Sequence, residues 1–165
     1  MTTKADTWDY RFMRLALDIA DWSKDRSRKV GCVIVGPNKE IRSTGYNGFP
    51  RRIDDGPEER HERPAKYLWT EHAERNAIYN AAYAGIRVAE CTIYVPWYPC
   101  VDCARGIVQA GLSELVAIEP DWNDLTWGEG FQVAREMFEE AGITVRYLDG
   151  KALHRATNLA RGLSG

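Results

Sequence analysis

Apolar residues near the start of the chain recur at three- and four-residue spacing. Trp8, Phe12, Leu15, Ala16, Ile19 and Trp22 form one stripe, which predicts an amphipathic helix over residues 8–23 with Asp6 or Thr7 as its N-cap and both tryptophans packed inward. After the polar stretch 23–29, residues 30–35 form a short, mostly β-branched run. It ends at the turn signal Gly36-Pro37-Asn38, and residues 41–46 read as its hairpin partner. Residues 47–63 are rich in Gly, Pro and charge and read as a long irregular loop, the kind that carries function in compact domains. Helical spacing returns over 71–84 and stops at Gly85. A strand over 92–95 stops at Pro96, a helix over 100–110 opens after Pro99 and closes at Gly111, and a strand follows at 114–118. A helix over 130–141 closes at Gly142, and a strand occupies 143–147. Residues 151–162 allow one more helix on a thin apolar face.

A hairpin followed by alternating helix and strand defines an α/β chain. A helical crossover returns the chain parallel to the strand it left, so strands four and five are expected to be parallel in a mixed five-stranded sheet. The 165 residues fit one domain over 1–150 and a C-terminal tail over 151–165. With 44% hydrophobic and 28% charged residues, the composition is that of a soluble globular protein, and a net charge of −2 offers no cationic excess for a nucleic-acid polymer. No apolar run is long enough for a membrane span, and the first ten residues lack the apolar core of a secretory signal, so a cytoplasmic location is expected. In that reducing compartment the four cysteines do not read as a disulfide framework. Cys32 and Cys91 sit in strand patterns and are expected in the core, and His61 and His154 at the surface. The charged stretch 58–63 reads as a solvated loop whose arginines are free to meet a phosphate or a neighbouring subunit.

Two fragments carry chemistry. His72-Ala73-Glu74 opens one predicted helix, and Pro99-Cys100-Val101-Asp102-Cys103 opens the next. Two cysteines three positions apart reach one ion, and a helix N-terminus favours the thiolate that binds it. His72 adds a third donor, and three protein ligands leave a tetrahedral position open, the mark of a catalytic zinc site. Glu74 is then the base for a water held there, a role that a closed zinc knuckle, the competing reading, would not need. H-x-E followed by P-C-x-x-C is the pattern of zinc-dependent deaminases.

Further blocks extend the match. Ser27-Arg-Lys-Val-Gly31, Ser43-Thr-Gly-Tyr-Asn-Gly-Phe-Pro50, His72-Ala-Glu-Arg-Asn-Ala-Ile78 and Pro99-Cys-Val-Asp-Cys-Ala104 resemble, in order, the deoxycytidylate (dCMP) deaminase family. The resemblance runs from about Trp8 to Tyr147, and the GYNGFP block sets it apart from tRNA adenosine deaminases and small cytidine deaminases. It implies a three-layer α/β/α cytidine-deaminase-like fold over 1–150, a Zn2+ cofactor on His72, Cys100 and Cys103, and hydrolysis of dCMP to dUMP and ammonia. It also implies a homo-oligomer, hexamer or smaller, acting on a small nucleotide or nucleoside rather than on a polymer or at a membrane. By the same resemblance Glu74 takes a proton from the attacking water and returns protons to N3 and the departing amine of the cytosine ring. Asn47 would bond the sugar, the backbone N–H of Ala73 the base carbonyl, and Ser27 the 5′-phosphate. Three positions depart from the family: Tyr94-Val-Pro-Trp-Tyr98 before the cysteines, Tyr83 where some members carry an arginine, and Asp121-Trp122 where a tyrosine is common. These departures predict an aromatic rim of Trp97, Tyr98 and Trp122 stacking on the base. They also keep open a nucleoside, free base or modified pyrimidine, such as deoxycytidine or a 5-methylcytosine derivative, as substrate.

Overall fold

In the computed structural model, which describes residues 7–154, α1 spans Trp8–Ala20 and begins at Thr7 without a side-chain cap. It buries Tyr10, Phe12, Met13, Ala16, Ile19 and Ala20. The stripe is therefore centred on Ala16, and the expectation for the tryptophans is corrected: Trp8 is 50% and Trp22 64% exposed. At about 100° per residue, Trp8 lies roughly 80° around the helix from Ala16, and Trp22 falls past the helix end. Trp8 stacks on Phe12 at 5.6 Å, and Trp22 meets the edge of Tyr46 at 6.2 Å.

The sheet has the order β2-β1-β3-β4-β5. Strand β1 (Gly31–Val35) pairs antiparallel with β2 (Ile41–Tyr46) and with the central strand β3 (Thr92–Val95), while β4 (Glu114–Ile118) runs parallel to β3 and β5 (Thr144–Leu148) parallel to β4. The mixed sheet with strands four and five parallel is thus as the crossover rule requires. Strand alternation divides the core between the two faces. Cys32, Ile34, Ile93 and Leu115 meet α3 (Ala73–Ala84), α4 (Val101–Gln109) and α5 (Gly128–Glu140) on one side, through Ala77, Ala81, Ile107, Phe131 and Phe138. Val33, Val35, Tyr94 and Val116 meet α1 on the other, joined there by Leu153 from the helical residues 150–154. The remainder of the helix expected over 151–162 lies outside the described residues. Cys32 and Cys91 are buried, and none of the described helices is long and apolar enough to cross a membrane.

α3 lies unusually close to β2. Ser43 Oγ donates to the Ala77 carbonyl at 2.7 Å, and the side-chain amides of Asn76 and Asn80 donate to the Tyr46 and Thr44 carbonyls at 2.8 Å each. Glycine at 45 is required by that approach, because a Cβ there would stand 2.3 Å from Ala77 N and 2.5 Å from Ala73 O. The loop over 47–63 contains a 3-10 turn at Glu58–Arg60 and leads into a four-residue helix, α2 (Lys66–Trp69), both too short to show a period in sequence. His61 is not a plain surface residue: it is half-buried, stacks on Phe49 at 4.9 Å, and its Nε2 lies 2.6 Å from the Asp55 carbonyl. His154 is exposed.

Candidate active site

α3 and α4 present their N-termini to one another. His72 is the N-cap of α3 in extended backbone, and Cys100 is the N-cap of α4. Each cap carbonyl accepts the first intrahelical bond, from Asn76 N at 2.9 Å and from Ala104 N at 2.8 Å. The cap side chains are thereby thrown off the helix ends toward each other, and Cys103 joins them from the first turn of α4. His72 Nδ1 lies 3.5 Å from Cys100 Sγ and 3.5 Å from Cys103 Sγ, and the three donor atoms fall within 4.8 Å of one another. Bonds of about 2.0–2.1 Å to nitrogen and about 2.3 Å to sulfur at a tetrahedral angle place N and S about 3.6 Å apart. The donor set therefore fits zinc, with His72 binding through Nδ1 as the Nε2–H tautomer.

The electrostatics favour a cation at this point. The Cys100 thiol is pulled down to about 4 by hydrogen bonds from Cys103 and from His72, while the same shared bond and burial push Cys103 up. His72 is held above its ordinary value, first by its bond to Cys100. Glu74, one residue into α3, is 4% exposed, and burial raises its carboxyl against the pull of His72. Around this centre Glu71 Oε1 accepts the backbone N–H of His72 at 3.0 Å and the side chain of Arg75, whose Nη1 also lies 3.5 Å from Asp102 Oδ2 on α4.

A cleft of ≈ 180 Å³ opens onto His72, Ala73, Glu74 and Cys100. Ser27 and Asn47 stand in its wall, as does Ala73, whose N–H is among the first-turn donors without an intrahelical acceptor. Asn47 is already engaged: Oδ1 accepts from Val30 N at 2.8 Å and Nδ2 donates to the Arg28 carbonyl at 2.9 Å. It thus pins residues 28–30 along the cleft. Tyr98 borders the space, but its side chain turns into the core, 1% exposed among Trp122, Phe131 and Phe138. Trp122 is outside the cleft lining, edge-on to Tyr98 at 5.4 Å with Nε1 donating to Glu119 at 3.2 Å. The aromatic wall is made instead by Tyr67, Trp97 and Trp127.

Trp127 and Arg28 escaped the sequence reading of the site, whereas Arg63 belongs to the charged stretch whose arginines that reading left open to a phosphate. Asp124 Oδ1 accepts the N–H groups of Thr126 and Trp127 at 2.8 and 2.9 Å, a turn that starts α5 early and swings Trp127 inward; the turn-forming Asp121 and Asp124 were the available signal. The Arg28 guanidinium lies 3.6 Å from the centre of the Trp97 ring. Lys66, also in the wall, is committed to Asp25 at 2.8 and 3.0 Å. Tyr83 is far from this chemistry, exposed and covered by Arg51 at 4.6 Å.

Helices on both faces of a mixed sheet, with a His–Cys–Cys donor group and a buried glutamate where two helix N-termini converge on a cleft, define a zinc-dependent deaminase. The comparisons carry this to a family. The chain belongs to the cytidine and deoxycytidylate deaminases, whose zinc-binding region matches residues 6–119. It is 41% identical over 142 residues to an uncharacterized deaminase of the luxG 3′ region of Aliivibrio fischeri, covering 86% of this chain and 93% of that protein. It is 37% identical over 144 residues to the deoxycytidylate deaminase of Mus musculus, covering 84% of this chain and 78% of that one. The fold is shared with the dCMP deaminase of the cyanophage S-TIM5, at a TM-score of 0.67 and 23% identity over 90% of this chain and 100% of that chain.

Proposed function

We propose that this chain deaminates dCMP to dUMP with release of ammonia. One observation carries the choice of a nucleotide: the cleft that ends on Glu74 and the donor group also holds two guanidinium groups, Arg28 and Arg63, that form no salt bridge among the described residues, the charge of Arg28 reaching Asp124 only at longer range. A 5′-phosphate is the anion such groups receive. Several mammalian relatives carry the name deoxycytidylate deaminase, which supports the same substrate.

His72, Cys100 and Cys103 would hold zinc, which when bound would supply a water activated toward a pKa of about 7. Glu74, buried in the cleft beside His72 and Cys100, would accept the proton of the attacking water on its carboxylate and deliver protons to N3 and to the departing amine. Burial favours the protonated carboxyl, which suits an intermediate carrier of a proton. The first-turn N–H of Ala73 bonds the base carbonyl, and Trp97 and Trp127 rather than Tyr98 and Trp122 stack on the ring. Asn47 orders the strand of backbone that carries Ser27 and Arg28, leaving its remaining amide hydrogen and lone pair for the sugar. The working unit on this reading is one deaminase domain, residues 1–150, with 151–165 as its tail. It acts in cytoplasmic pyrimidine nucleotide metabolism as a homo-oligomer, hexamer or smaller, a state supported by the exposed Trp22, Tyr79 and Tyr83.

Ammonia release from dCMP, CMP, deoxycytidine, cytosine and their 5-methyl derivatives tests the proposal, with zinc quantified in the same preparation. dCMP is expected to be the preferred substrate. Glu74→Gln should keep zinc and fold while losing about 10²–10⁴-fold or more in kcat. Equal turnover of deoxycytidine overturns the nucleotide assignment, and an active Glu74→Gln overturns the role of Glu74.

A further inference from the structure

Arg75 stands between the two turns that supply the donor atoms, and nothing in the deamination step uses it. On the α3 side it binds Glu71, the residue whose Oε1 also holds the backbone N–H of His72 at 3.0 Å. On the α4 side its Nη1 is 3.5 Å from Asp102 Oδ2, in the turn between Cys100 and Cys103. Its stem crosses α4 at a residue with no side chain, since Arg75 Cγ would lie 3.6 Å from a Cβ placed on Gly106. The side chain is only 20% exposed, so its charge acts in surroundings that screen it poorly.

We propose that Arg75 is a positioning residue for the metal: it braces the His72 turn against the Cys100–Cys103 turn. The inference rests on reading His72, Cys100 and Cys103 as zinc ligands. A planar guanidinium can face Glu71 and Asp102 at once, whereas a lysine presents a single point of charge and no fork. Neither contact of Arg75 is with a donor atom, so it acts through the turns that aim them, as outer-sphere partners of metal ligands do.

Release of zinc from the purified, zinc-loaded protein to a colorimetric chelator tests this, with thermal unfolding followed for the loaded and the stripped forms. Arg75→Ala should hold zinc about 10–100-fold less tightly than wild type. Its loss of Tm should be larger in the loaded form than in the stripped form, and Arg75→Lys should recover only part of the retention. Zinc retention equal to wild type overturns the inference, as does an equal loss of Tm in both forms, which would mark a purely structural role. If Arg75→Ala does not fold, Arg75→Lys decides alone: weaker retention than wild type supports the brace, and equal retention overturns it. A wild-type chain that binds no zinc overturns the ligand assignment and this inference with it, whereas a zinc-loaded wild type matched by its variants overturns this inference alone.

Discussion

Arg63 illustrates what a single side chain contributes to this cleft. Lys66 is neutralised by Asp25, so the anion-binding capacity of the wall falls to Arg28 and Arg63. One charge-assisted hydrogen bond is worth about 1.5–3 kcal/mol. Arg63→Ala should therefore lower kcat/KM for dCMP about 10-fold or more, mainly through KM, and leave deoxycytidine turnover unchanged; equal losses on both substrates in a steady-state assay would remove Arg63 from phosphate recognition. At this scale the legible residues were those whose partners lie within one helical turn. His72 and Glu74, and Cys100 and Cys103, announce themselves because two positions of one turn must face one point. Arg63 and Trp127 reach the cleft from separate loops, and their convergence has no spacing to read. Trp122 attracted the aromatic role because it lies near the end of a strand, but the turn at Asp124 hands that role to its neighbour five residues on.

The elements were legible where a period or a punctuating residue existed. β2, β3 and β4 occupy the expected residues, and α3 and α4 end at glycines in left-handed backbone or just before one, with φ of 69° at Gly85 and 72° at Gly111. Over Glu58–Trp69 the local structure rests on ring contacts, Arg60 over Trp69 at 4.1 Å and Phe49 between His61 and Trp69, which are side-chain meetings across a loop and leave no repeat. The pairing of α3 with β2 yields a prediction at this level. A methyl group at position 45 would strike the backbone of Ala73 and Ala77, which cannot give way as a side-chain tip can. Gly45→Ala should cost about 1–3 kcal/mol or more through overpacking, a loss of roughly 5 °C or more in Tm by calorimetry. Because the clash is at the first turn of α3, the same variant should purify with less zinc per chain. An unchanged Tm would contradict the close approach of helix and strand.

Across the whole molecule, carboxylates tie distant segments together and set its acid limit. Asp9 of α1 meets Arg146 of β5, which also binds Glu114 of β4 at 2.6 Å, so one ion-pair cluster on the α1 face ties that helix to two strands. Burial opposes ionisation of Asp9, but Arg146 and Tyr94 outweigh it and hold the carboxyl below its ordinary value; Arg146 and Thr92 do the same for Glu114. Asp25 is likewise held down, with Lys66 and the N–H groups of Arg28 and Ser27 overcoming burial. A carboxyl whose folded value is depressed stabilises the fold above its unfolded value, about 3.9–4.3, and that contribution is lost as pH falls through the folded value. Tm should be flat with respect to these groups near neutrality and fall once the pH drops below about 4. Arg146→Met should start lower and fall less steeply over the same range, and parallel curves would show that the cluster does not set the acid limit. The position of the donors at two helix caps has a consequence for how the protein matures. Each cap is placed by a helix whose inner face, Ala77 and Ala81 in one case and Ala104 and Ile107 in the other, is already buried on the sheet. We therefore predict that the chain folds before it takes its metal: zinc-stripped protein should keep its far-UV circular dichroism and a cooperative thermal transition, and an unfolded stripped form would refute this order of events.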